Sequence, residues 1–164
     1  MKKKPTGMTG GKPREKIKTL SRLKKDLWEL TKQIIRAEYG NTCYTCGQRN
    51  LSGSNWHTSH FIPKSICSAE LAYSLDNLRP SCYQCNIHLS GNWVAFEAHL
   101  KQEEGDEFTD SLKKRNQETK GKLYGRDWYL KKIEEYAKIL EKICTQSTAT
   151  ALHSAFTSTD SACA

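Results

Sequence analysis

Two pairs of cysteines carry the clearest chemistry in this chain: Cys43-Tyr44-Thr45-Cys46 and Cys82-Tyr83-Gln84-Cys85. Each pair offers two thiols from one tight turn, and four thiolates at about 2.3 Å complete a tetrahedral Zn²⁺ site. Such a site has no open position, so the ion would staple the fold rather than react. The competing readings are two disulfides or plain buried thiols. The start, Met1-Lys2-Lys3-Lys4-Pro5, is followed by no apolar secretory stretch, which predicts a cytoplasmic protein with reduced thiols. A redox pair would account for one motif but not two. Structural zinc is the expected cofactor, and Cys67, Cys144 and Cys163 are expected as free thiols.

His57, His60, Asp76 and Asn77 lie between the two pairs, and Asn86 follows the second. Imidazole, with an ordinary pKa of about 6.5, is mostly neutral near pH 7 and can take a proton from water. An amide oxygen suits a hard divalent cation. A base and a cation together suit phosphodiester hydrolysis, where charge builds on phosphorus and on the leaving oxygen. His60 taken alone reads as a satisfied structural histidine.

Those residues need elements to place them. Residues 1–25 hold ten Lys or Arg against one acid, Glu15, and before Pro13 there is nothing to bury. Residues 1–13 are expected as a disordered basic arm that touches phosphate or only aids solubility. In residues 16–37, Ile17, Leu20, Leu23, Leu27, Leu30 and Ile34 recur at steps of three and four, the mark of one helical face. Gly40 and Asn41 end that helix. Its other face carries Lys18, Arg22, Lys25 and Lys32, suited to a DNA backbone.

Residues 55–62 read as a strand stopped by Pro63, and residues 76–80 as a second strand or turn. A helix opens at Asn86 and bends at Gly91. Ile66, Leu71 and Tyr73 are expected to cover the cysteine knuckle, with Trp56, Phe61 and Trp93 as core around it. Residues 101–121 predict a loop and a loosely packed helix. A last helix from about Asp127 presents Leu130, Ile133, Ala137, Leu140 and Cys144, and packs antiparallel to the first. Ser, Thr and Ala make up fourteen of the last twenty residues, so residues 145–164 predict a disordered tail. The working domain is residues 14–144.

The net charge of +8 and sequence pI of about 9.1 predict an anionic partner, nucleic acid ahead of an acidic membrane surface. No run approaches the roughly twenty apolar residues of a membrane span, and no lipidation motif is present.

The order of these parts resembles the ββα-metal, or HNH, nucleases: His60-Phe61-Ile62-Pro63, then Asn77-Leu78-Arg79-Pro80-x-Cys82-x-x-Cys85-Asn86. A closer likeness is to the NinG (Rap) family of lambdoid phage recombination endonucleases. Those proteins also show Cys-x-x-Cys-Gly, a Trp four residues before the histidine, and Cys-x-x-Cys-Asn-x-His-x-Ser-Gly-Asn. Residues 43–47, Trp56 with His60, and residues 82–92 supply these here. With flanking helices the likeness covers about residues 14–144.

The resemblance implies an α+β fold: a zinc-stapled ββα-metal (HNH or His-Me finger) core flanked by N- and C-terminal helices. It implies a DNA endonuclease hydrolysing phosphodiester bonds in branched or flapped recombination intermediates, Holliday junctions among them, in the cytoplasm of a bacterial host. His60 resembles the general base, Asn77 the residue that holds the base-bearing loop, and Asn86 a ligand of a catalytic Mg²⁺ or Mn²⁺. Many HNH enzymes have Asp or His where this chain has Ser59, and His57 stands where NinG proteins tend to have Asp. On a regular strand His57 faces away from His60. Waters, DNA phosphate, Asp76, or His57 on a bent strand would then complete the ligand set.

Candidate DNA contacts are Lys18, Arg22, Lys25, Arg79, His88 and Asn92. Arg79 is weighed against a plain surface charge, and His88 and Asn92 against capping or orienting the knuckle. Branched DNA, a second copy of the chain, and recombination proteins of phage or host are the expected partners. The alternatives are a non-catalytic zinc-containing DNA-binding module and an RNA-binding zinc protein.

Overall fold

The computed structural model describes residues 17–157, with side chains through residue 146. The basic arm of residues 1–13 and the end of the tail lie outside the described residues. The first helix, α1 (Leu20–Tyr39), starts later than the apolar spacing predicts, because Thr19 is the N-cap and its hydroxyl accepts the Arg22 N–H. Ile17 is consequently 81% exposed rather than core. Leu23, Leu27, Ile34 and Ile35 are buried, and Gly40 ends the helix at φ 71°, an angle that favours glycine.

The last helix, α4 (Arg126–Thr157), packs along α1. The two run in the same direction, not antiparallel. Arg126 donates to the Lys18 carbonyl at their starts, while Glu38 and Tyr39 share a cavity with Ile139, Lys142 and Ile143 farther along. The buried line on α4 is Tyr129 and Tyr136, supported by Ile133, Leu140 and Ile143. Leu130, Ala137 and Cys144 face water. The tyrosines explain the shift: each buries a large ring, and the Tyr136 hydroxyl still donates to the Tyr73 carbonyl at 2.8 Å. α4 also continues through residues 145–157, expected as disordered tail, where Ala149, Ala151 and Ala155 favour helix and no Gly or Pro interrupts.

Strands β1 (Trp56–His60) and β2 (Leu78–Cys82) form a two-stranded antiparallel sheet, with Trp56 opposite Cys82 and His60 opposite Leu78. A π-helical turn, Gln84–His88, follows β2 where a plain helix was expected, and then come α2 (Trp93–Glu104) and α3 (Asp106–Thr119). The fold is thus α+β. α3 is a full helix, not a loop with a loose one. Lys113 on α3 pairs with Glu97 at 2.8 Å, Asn116 accepts the Ser68 N–H at 2.7 Å, and Leu112 is buried. Its packing is largely polar, so hydrophobic spacing carried little sign of it.

Three apolar clusters result. Phe61, Ile62, Leu71, Phe96, Leu100 and Leu112 form one beneath the sheet end. Tyr73 belongs to the α1–α4 cluster, Ile66 is exposed, and among the described residues Trp56 and Leu51 are the apolar side chains clustered with the cysteines. Leu71, Tyr73 and Ile66 therefore do not cover the knuckle, and neither Phe61 nor Trp93 is core around it. No helix among the described residues is long and apolar enough to cross a membrane.

Candidate functional site

Cys43 and Cys46 leave the loop after α1, while Cys82 ends β2 and Cys85 sits in the π-helical turn. Their four sulfurs lie within 4.8 Å of one another. A tetrahedral ion with metal–sulfur bonds of about 2.3 Å sets its sulfurs roughly 3.8 Å apart. Cys46 and Cys82 are separated by 3.8 Å. The donors fit a structural metal such as zinc. Outer contacts suit thiolates too: Thr45 Oγ1 lies 3.4 Å and Ser81 Oγ 3.8 Å from Cys43 Sγ, and the Asn92 amide donates to Cys85 Sγ at 3.7 Å.

His60, at the end of β1, lines a cavity of about 580 Å³ with Trp28, Lys32, His57, Ser59, Lys64, Asn86 and Gly91 among its walls. Its Nε2 faces the Ala72 carbonyl at 3.1 Å, which requires a proton on Nε2 and leaves Nδ1 as the basic nitrogen. The ring stacks on Trp28, 5.5 Å between centroids and 9° from parallel. Burial brings its pKa down to about 4, opposed by the Ala72 carbonyl and assisted by Lys64. Near pH 7 the imidazole is therefore uncharged and held in one orientation.

Asn86 and His57 reach the same cavity, which takes in both faces of β1. His57 Nε2 lies 2.9 Å from the Ser54 carbonyl and must donate there, so Nδ1 accepts the Asn86 amide at 3.2 Å. Both ring nitrogens are engaged. Oδ1 is the remaining donor atom of Asn86. Ser59 is 1% exposed, and a Cβ on Gly91 would stand 3.6 Å from its hydroxyl, so Ser59 lies against the knuckle. Asp76 pairs with Arg115 at 2.9 Å and is not among the cavity's walls. Among the described residues no carboxylate lines the cavity. One amide oxygen and hydroxyls do not make a Mg²⁺ site, which calls for carboxylate and water oxygens in near-octahedral order.

Asn77 is fully buried. Its Oδ1 accepts the Ile62 N–H at 2.7 Å, and its Nδ2 donates to the Ile62 and Leu71 carbonyls at 3.2 Å each. It ties the chain just after His60 to the loop that carries Ala72. Asn77→Ala is expected to cost about 2–4 kcal/mol, because three buried backbone groups lose their partner. Asn77→Asp should rescue little, since its carboxylate would face two carbonyls. Urea denaturation checks this, and an unchanged midpoint would refute it.

Other sequence candidates lie elsewhere. Arg79 is 1% exposed, stacked between Tyr39 and Tyr44 at 4.6 and 5.4 Å, and bonded to the Leu78 carbonyl at 2.9 Å. It cannot clamp phosphate; Glu103 and Glu104 balance its charge at 3.5 and 3.7 Å. Asn92 is turned to Cys85, whereas His88 is exposed beside Tyr83. Lys18 and Arg22 are exposed but both hold Asp26, at 2.9 and 2.8 Å. Lys25 borders a neighbouring cavity with Trp28 and Lys64. Trp28 and Lys64 were missed as site residues, and Lys32 was read only as part of a basic face. The available signals were the i,i+4 spacing of Trp28 and Lys32 on α1, and Lys64 directly after the strand-ending Pro63.

An α+β chain whose two-stranded sheet and following turn carry a four-cysteine cluster that could hold zinc is the class that fold and site define. Residues 8–146 match the family model described as the bacteriophage Lambda NinG protein. The chain belongs to that family. No curated protein and no solved structure matches it.

Proposed function

We propose that this protein is a zinc-stapled DNA endonuclease of the ββα-metal type, acting on branched or flapped recombination intermediates. The observation that carries this is His60: neutral, held at Nε2, stacked on Trp28, and placed on a cavity with Asn86, Lys32 and Lys64. In this reading Nδ1 takes a proton from water as the water oxygen bonds to phosphorus. The P–O bond to the departing sugar oxygen breaks, and that oxygen takes a proton from solvent. Lys64, whose Nζ lies 5.5 Å from the centre of the Trp28 ring, supplies positive charge near the phosphate, and Lys32 adds to it only by leaving Glu29, which holds it at 2.8 Å. The donor set builds no divalent-ion site in the free protein, so no step is routed through one.

Asn77 keeps the base-bearing loop in register, and the strand–strand–turn–helix order around His60 and Asn86 supports the ββα-metal assignment. The lack of a carboxylate among the described residues that line the cavity favours a second reading, a zinc-containing module that binds DNA without cutting it. Incubating the protein with flapped, forked and four-way DNA, with and without Mg²⁺ or Mn²⁺, separates the two. Cleavage at the branch is the expected result. Retained binding without cleavage under all conditions would favour the module.

A further inference from the structure

We propose that the turn after the second cysteine pair is a stacking platform for unpaired DNA bases beside the His60 cavity. The proposal rests on the nuclease reading only for the identity of the polyanion. Tyr83, Ile87, Leu89 and Trp93 are each about half exposed, and Val94 is 74% exposed. They fall within twelve residues, yet they are half of the large apolar side chains that face water among the described residues. Exposed apolar area so concentrated marks a binding surface.

Its support is rigid. The Gly91 N–H donates to the Cys85 carbonyl at 2.9 Å, and the Leu89 N–H to the Gln84 carbonyl at 3.0 Å. Gly91, at φ +92°, backs onto buried Ser59. The platform also continues into the cavity. Tyr83 lies 5.6 Å from His57 and 5.3 Å, edge-on, from His88, while Asn86, Ser90 and Gly91 of the same turn line the cavity wall.

Charge selects the occupant. No Asp or Glu stands between Asp76 and Glu97, and the chain carries +8 overall. The bounding carboxylate on α2, Glu97, one turn after Trp93, is held by Lys113 at 2.8 Å and Lys101 at 3.8 Å and so repels a polyanion little, whereas a second copy of the chain brings its own +8. Aromatic faces stack on any base, but bases inside a duplex present no free face. The platform therefore distinguishes a flap or fork from plain duplex.

The test uses the full chain with His60→Ala, so that binding is read without turnover. It is titrated against a flapped DNA carrying 2-aminopurine in the unpaired arm, and against duplex of equal length. The 2-aminopurine emission is expected to change on binding. Trp93→Ala combined with Leu89→Ala should weaken flap binding about ten-fold, the loss of roughly one stacked base, with duplex affinity unchanged. Trp93→Phe should keep the preference, and Tyr83→Ala gives an independent reading should the double variant lose its metal or its melting transition. No loss, or equal loss on both DNAs, overturns the platform. So does a wild-type dimer in sedimentation that the variants dissolve while flap affinity stays unchanged. Flap-selective binding by a chain that cuts no DNA sinks the nuclease reading alone; cleavage with unaltered flap preference in the variants sinks the platform alone.

Discussion

Cys85→Ser is expected to lose bound zinc and the cooperative unfolding of the knuckle together. The cluster that joins the loop after α1, the end of β2 and the π-helical turn contains Cys43, Cys82, Cys85, Leu51 and Trp56. Three of those five are cysteines of the cluster that could hold the metal, so little apolar area remains to hold the knuckle without an ion. In small cysteine sites the apparent zinc-binding free energy is about 10–16 kcal/mol, far more than Leu51 and Trp56 supply by burial, roughly 2–3 kcal/mol each. The α1–α4 cluster is built without the cysteines, and its helices should persist. Far-ultraviolet circular dichroism should therefore keep much of its helical signal, while β1, β2 and the turn lose their protection from hydrogen exchange. Elemental analysis should find one zinc per wild-type chain and none in the variant. A Cys85→Ser protein that melts like wild type would show that the metal is not the staple.

What could be read in advance follows from how local each signal is. The cysteine pairs carry their geometry in their spacing, and residues 23–34 show their buried face through steps of three and four. The direction of α4 against α1 had no such marker. Short loops force neighbours to run antiparallel, but the strands, the turn and two helices lie between these two. Leu130 and Ala137 looked better buried than Tyr129 and Tyr136 because an aliphatic count ignores a tyrosine that buries its ring and spends its hydroxyl on a carbonyl. Arg79 misled for a similar reason. A guanidinium reads as surface charge unless two tyrosine faces and two glutamates elsewhere in the chain are known to await it. Trp28 meets His60 only through tertiary packing, so the stack on the imidazole left no trace near either residue.

His60→Ala is expected to abolish most cleavage while leaving the fold, the zinc and DNA binding in place. Removing a positioned general base costs about 10²- to 10⁴-fold in rate. The pH dependence is the sharper test. Only neutral imidazole accepts a proton, and burial has brought the His60 pKa from 6.5 down to about 4. The limb of kcat/KM, which reports the free protein, should thus lie near pH 4, and the rate should be flat from about pH 6 to 8, where an ordinary histidine near 6.5 would still be titrating. A bound phosphodiester brings negative charge beside the ring and favours its protonated form, so the limb of kcat should sit at higher pH than that of kcat/KM. The same depressed pKa has a sign for stability. Between about pH 4 and 6.5 the unfolded chain binds more protons at this site, so the folded state gains stability as pH rises through that window and loses it as pH falls. Trp28→Ala removes the stacked ring that shields the imidazole, and should move the kcat/KM limb upward toward 6.5 with a smaller loss of rate than His60→Ala. Wild-type cleavage by His60→Ala would remove His60 from the chemistry altogether. A kcat/KM limb fixed near 6.5 in both wild type and Trp28→Ala would instead leave His60 exposed to solvent in the working protein, with the base no longer held by the stack.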